Sequence, residues 1–129
     1  MYHNLKELCA CAQKEQKPVW QIILENEMAC FGRSREEIFD ALRQRLEVMR
    51  ASARKALNTP YPTVGNLITG TAKTQKQYAD KNQTVCGGFI NETMAMALSS
   101  CEINASMGKI CAAPTAGSCG ILPAVLMGC

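Results

Sequence analysis

The stretch "SREEIFDALRQRLEVMRASARKAL", residues 34–57, constrains the fold more than any other. Ser34 suits a helix N-cap, and Glu37 three residues later completes a capping box. Ile38, Leu42, Leu46, Met49, Ala53 and Leu57 recur at steps of three and four and fall on one stripe, with Arg and Glu elsewhere. A long amphipathic helix must lay such a stripe on a partner, so the chain is expected to be built from packed helices.

The neighbouring segments agree. From Asn4 to about Gln16, Leu5, Leu8 and Ala12 share a helical face. Pro18 suits the first turn of a second helix, "PVWQIILENEMACFG", which Gly32 can end. Two prolines and two glycines in "NTPYPTVGNLITGT" predict a loop, followed by a short polar helix around Ala72 to Lys81. From Gly87 onward a second long helix is predicted, apolar on most sides. No period-two alternation persists, so strands are not expected. The fold class is therefore all-α. At 129 residues the chain reads as one domain. It comprises a helical layer over 1–57, a loop over 58–71, and an apolar helix with a following loop over 82–129.

Charge narrows the partners. The net charge is only +3, and the basic residues are interleaved with acids, which argues against nucleic acid. From Asn82 to Cys129 only Glu92, Glu102 and Lys109 are charged, so this part reads as the interior of something. Glu92 and Glu102 lie far apart around a helix axis and form no evident acid/base pair; either can cap a helix or pair with Lys109. Asn91 and Asn104 need partners if buried. The uncharged run from Ile110 to Gly128 is long enough for a short membrane span. Its prolines, glycines, Thr115 and Ser118, and its lack of aromatic anchors, argue against one.

That run contains the segment of most chemical interest, "ICAAPTAGSCGILPAVL". After Pro114, the residues Thr115, Ala116, Gly117, Ser118, Cys119 and Gly120 are loop formers leading into a helix that starts near Ile121. A glycine-bearing loop at a helix mouth offers free N–H groups and favours an anion. An ordinary helix–helix connection is the competing explanation, since a lone glycine-rich turn is a weak signal. Cys119 at such a mouth is expected to have a lowered pKa. The only histidine is His3, so no Cys/His pair is expected within the chain. Lys109 could in principle form a Schiff base with pyridoxal phosphate, but a solvated lysine fits better. No pair of the eight cysteines has the C-x2-C spacing of a zinc site or the compact spacing of ferredoxins. No apolar signal-peptide core opens the chain, so reduced thiols are expected.

The segment Asn104 to Leu126, "NASMGKICAAPTAGSCGILPAVL", resembles the signature of the α subunit of the bacterial iron–sulfur-dependent L-serine dehydratases. The pattern from Glu27 to Ser52, with Phe31-Gly32, Ser34 and Glu36-Glu37-Ile38, is also similar. This resemblance implies a lyase of amino-acid catabolism, an L-serine ammonia-lyase that converts L-serine to pyruvate and ammonia. It implies a 4Fe-4S cluster as Lewis acid, a β subunit or β domain that carries a serine–histidine motif, an oligomer, and a cytoplasmic setting. It assigns substrate binding to Thr115, Ala116, Gly117, Ser118 and Gly120, with Asn104, Lys109 and Pro114 supporting the loop. The family's cysteine-bearing "GCQ.E.G" and "CDP" segments do not occur here. Cluster ligands are accordingly expected beyond residue 129, and no catalytic residue is assigned within the chain. The chain is expected to be the N-terminal part of an α subunit, inactive alone. Cys119 and Cys111 stand where the family often has alanine and valine, which makes them poor ligand candidates. The alternative is a non-catalytic helical interaction module that keeps the loop without a cluster.

Overall fold

The computed structural model describes residues 2–81 and 84–128. The expected boundary at Asn82, and Cys129, lie outside the described residues. Six α-helices and two short 3-10 turns make up the described residues, with no strand among them. The chain forms two compact units, Met1–Arg43 and Gln44–Cys129.

The first unit holds α1 (Leu5–Glu15), α2 (Val19–Phe31) and the start of α3 (Arg35–Lys55). Asn4 caps α1 through Oδ1, which accepts the Glu7 N–H at 2.9 Å, while the Glu7 carboxylate accepts the His3 N–H at 2.8 Å. Gly32, at φ +62°, ends α2 in the left-handed region that glycine enters without penalty. Leu8, Ala12 and Ile22 form the small core, with Tyr2 and Cys11 packed against it. Lys17 bridges Glu15 at 2.9 Å and Glu25 at 2.8 Å across the turn between the helices. The capping box at α3 forms as expected: Ser34 N–H donates to Glu37 Oε2 at 2.8 Å, and Glu37 N–H donates to Ser34 Oγ at 3.2 Å.

The second unit continues α3 and adds the 3-10 turn Val64–Asn66, α4 (Thr71–Ala79), α5 (Gly87–Ala105), the 3-10 turn Ala116–Ser118 and α6 (Ile121–Gly128). α5 packs against both α4 and α6. The stripe on α3 is buried only toward its C-terminus, at Met49 and Ala53, while Leu42 is half exposed.

The buried face of α5 is not its most apolar face. Ala95 and Ile103 are buried, but so are Asn91, Ser99, Ser100 and Glu102, while Phe89, Ile90 and Met94 face outward. Each buried polar group has a partner, as burial requires. Asn91 accepts from Gln75 Nε2 at 2.8 Å and donates to the Gly87 carbonyl at 2.8 Å. Ser99 Oγ accepts the Ala56 N–H at 3.0 Å and donates to the Ser52 carbonyl at 2.7 Å. It thus stands between a donor and an acceptor four residues apart, where α3 would otherwise close its last main-chain bond. Beside it, the Ser52 and Ser100 hydroxyls lie 3.2 Å apart.

Glu102 is fully buried. Its carboxylate accepts from the Ala72 N–H at 2.7 Å, the Thr71 hydroxyl at 3.1 Å and the Tyr61 N–H at 3.3 Å. Thr71 and Ala72 open α4, where the N–H groups have no partner within the helix. Glu102 therefore supplies the cap that Gly70, lacking a side chain, cannot. Of the two roles open to it in sequence, capping is the one it takes. Ser106 Oγ lies 2.6 Å from the Pro62 carbonyl, and Thr63 N–H donates to Thr69 Oγ1 at 3.0 Å, so loop 58–70 is tied both to α5 and to itself.

Candidate functional site

The glycine-bearing loop enters from α5 through Met107 and Gly108. Gly108 is required there, because a Cβ would lie 2.7 Å from Ile103 Cγ2 and 2.9 Å from the Ile103 carbonyl oxygen. The chain then passes Lys109, whose side chain is exposed and makes no hydrogen bond to the loop among the described residues. The Ala113–Pro114 peptide is cis.

Thr115 to Ser118 form a 3-10 turn closed by a reciprocal pair of bonds. Ser118 N–H donates to Thr115 Oγ1 at 3.3 Å, and Thr115 N–H donates to Ser118 Oγ at 3.3 Å. The two hydroxyls lie 3.0 Å apart. Ser118 Oγ can also donate to the Thr115 carbonyl at 3.2 Å or the Ala113 carbonyl at 3.5 Å. Asn104, the last residue but one of α5, donates Nδ2–H to the Ala116 carbonyl at 3.4 Å and so steadies the turn.

The donors left for a ligand follow from this accounting. A hydroxyl has one hydrogen and two lone pairs. When Ser118 donates to a main-chain carbonyl, the Thr115 O–H donates to Ser118 Oγ across the 3.0 Å contact, so both hydroxyl protons are engaged within the turn. The N–H groups of Ala116 and Gly117 open the turn and have no acceptor inside it. Thr115, Ala116 and Gly117 are exposed, and Ser118 is partly so. Two main-chain donors on one exposed turn suit a carboxylate or another small anion.

The two loop glycines do different work. A Cβ on Gly117 would meet nothing nearer than Thr115 Oγ1 at 3.9 Å, so its surroundings are open. Gly120 is buried, and a Cβ there would sit 2.5 Å from the Ala97 carbonyl oxygen. Gly120 thus lets α6 approach the α5 backbone, and it faces the protein.

Cys119 corrects a sequence expectation. Its thiol is buried, and burial, with Cys101 nearby, pushes its pKa up although the residue precedes a helix. Desolvation here outweighs the favourable end of a short helix. Cys101 is raised for the same reason. Cys119 is a small core residue under the turn. Glu92 lies 3.8 Å from Lys76. Among the described residues no group of three or more His, Cys, Asp or Glu side chains is placed to hold a metal ion. Nor is any helix among them long and apolar enough to cross a membrane.

Sequence patterns did not assign the Ser52–Ser99–Ser100 contact, which fixes α5 against α3 and so sets where Asn104 stands. The available signal was a serine pair inside an otherwise apolar helix.

The description "Serine dehydratase alpha chain" matches residues 14–129 of this chain. The L-serine dehydratase alpha chain of Peptoniphilus asaccharolyticus is 39% identical over 127 residues, covering 98% of this chain and 44% of the relative. A probable L-serine dehydratase alpha chain of Bacillus subtilis (strain 168) is 32% identical over 126 residues, covering 98% and 42% respectively. L-serine dehydratase 2 of Escherichia coli (strain K12) is 32% identical over 129 residues, covering 97% and 28%. The chain therefore spans less than half the length of these curated relatives. No solved structure matches it significantly. With the family match covering nearly all of its residues, this chain belongs to the serine dehydratase alpha-chain family.

Proposed function

We propose that this chain supplies the substrate-carboxylate site of an L-serine dehydratase, at the turn Thr115–Ser118. The observation that carries this reading is the pair of free donors on that turn, the N–H groups of Ala116 and Gly117. In the proposed reaction L-serine loses its α proton and its hydroxyl as water. The resulting enamine tautomerises to an imine, which hydrolyses to pyruvate and ammonia. The turn holds the carboxylate so that the α and β carbons project away from the backbone. Ser118 locks Thr115 in place. Asn104 holds the turn on α5.

The base that takes the α proton is assigned, through the family resemblance, to the β subunit or β domain. A 4Fe-4S cluster remains part of the proposal through family resemblance. Through the same resemblance its ligands are assigned to the portion of the alpha chain that the relatives carry outside this match, and no step in this chain is routed through it.

Amide NMR on residues 1–129 tests the site. L-serine and acetate should shift the Ala116 and Gly117 resonances, and L-serinamide, which lacks the carboxylate, should not. Thr115→Val should weaken the response without unfolding the chain. Equal responses to serine and serinamide, or none at these two amides, would defeat the assignment. Anaerobic reconstitution of residues 1–129 with iron and sulfide should yield no serine deamination, and turnover by this chain alone would show that its own residues hold the cluster.

A further inference from the structure

α6 is packed with its small side inward. Gly120, Ala124 and Gly128 recur every four residues. Ala124 is buried, a Cβ on Gly120 would meet the Ala97 carbonyl at 2.5 Å, and one on Gly128 would meet Thr93 Oγ1 at 2.6 Å. Its large side chains point the other way: Ile121, Leu122, Val125 and Leu126 are 40–65% exposed. The part of α5 that meets Gly128 behaves alike, because Phe89, Ile90 and Met94, within about a turn of Thr93, are also exposed. No charged residue lies between Ile110 and Gly128 to keep this face in water. A helix apolar on both sides is at home inside a protein, and an exposed apolar face of this kind marks a contact surface.

We propose that this face of α6 and α5 is the seat of the part of the serine dehydratase alpha chain that the relatives carry outside the matched stretch. Those relatives are more than twice as long as the stretch they share with this chain, which covers 44% and 42% of them. A further layer of the same chain is therefore a more economical cover than a second copy of residues 1–129. The occupant is an apolar helical face that buries Ile121, Leu122, Val125 and Leu126. This rests on family membership and is independent of the proposed carboxylate site.

The test is association in trans. The portion of the Peptoniphilus asaccharolyticus alpha chain outside the match is fused to a solubilising carrier and mixed with residues 1–129. A one-to-one complex is expected by light scattering, and its formation should slow hydrogen exchange in α6. Val125→Glu and Leu122→Glu lie on the exposed side, so the chain should keep its helical circular dichroism while association weakens by about tenfold or more. Trp20→Glu, on the exposed face of α2, should leave association unchanged. Three outcomes would overturn the proposal: no complex with both partners soluble, a complex insensitive to the α6 variants, or a dimer of residues 1–129 that itself protects α6. Binding is read here, and serine turnover is not, so a complex without carboxylate binding still supports this surface while refuting the proposed site.

Discussion

The Glu102 carboxylate on α5 lies 2.7 Å from the main-chain nitrogen of Ala72 at the start of α4. One buried side chain thereby takes up an otherwise unpaired N–H of a helix thirty residues earlier in the chain and, through Tyr61, anchors the loop before it. A helix N-terminus carries partial positive charge, which suits a carboxylate. Removing the acceptor would leave buried donors unpaired. Glu102→Ala should lower stability by about 3 kcal/mol in urea denaturation, and Glu102→Gln by roughly half of that, since it keeps one acceptor oxygen. An alanine variant as stable as the parent would show that α4 does not depend on this cap.

Ser99 bridges Ala56 N–H and the Ser52 carbonyl. Ser99→Ala should cost about 1–2 kcal/mol, the usual loss when a buried donor and acceptor are stripped of a shared partner. Amide exchange at Ala56 should accelerate as well. If the last turn of α3 instead closes directly on itself, exchange at Ala56 will not change.

Gly120 and Gly117 separate packing from ligand binding. Gly120→Ala drives a methyl into the Ala97 carbonyl and should lower stability by about 3 kcal/mol, at the upper end for overpacking. Gly117→Ala meets open space and should leave thermal stability within about 0.5 kcal/mol of the parent. Any loss of serine binding in Gly117→Ala then belongs to the site alone. Similar unfolding midpoints for the two variants would contradict the packing of α6 described above.

Burial raises the thiol pKa of both Cys119 and Cys101. Below the ordinary thiol pKa of about 8.5 both states keep the proton and these groups leave stability unchanged. As pH rises past that value the unfolded chain ionises first, so stability falls. Cys119→Ala should therefore flatten the decline in urea midpoint between neutral pH and about pH 10. In the parent, iodoacetamide should modify exposed Cys9, Cys30 and Cys86 well before Cys119. Early modification of Cys119 would place it outside the core.

Local chemistry was legible wherever partners are close in sequence. The Ser34–Glu37 capping box, the glycine stop at Gly32 and the proline near the start of α6 are each decided within a few residues. The long periodic segments were legible too, because a 3.6-residue repeat needs no knowledge of the partner. The turn at Thr115–Ser118 was readable as a loop, but its reciprocal hydroxyl bonds were not, since the same residues also fit an open turn. The expectation for Cys119 failed because helix position is local, whereas burial depends on how α6 meets α5.

By itself the sequence determined that this protein is a set of helices with one uncharged, loop-bearing half. It also carried the family resemblance, because periodicity, caps and motif residues are properties of neighbours along the chain. Only the tertiary structure decided that α5 buries its polar side, that Glu102 caps α4 and not Lys109's neighbourhood, and that Gly120 serves packing while Gly117 faces outward. Those outcomes depend on which groups meet from different helices, well separated along the chain. A buried polar atom accepts whichever partner the packing brings within hydrogen-bond reach.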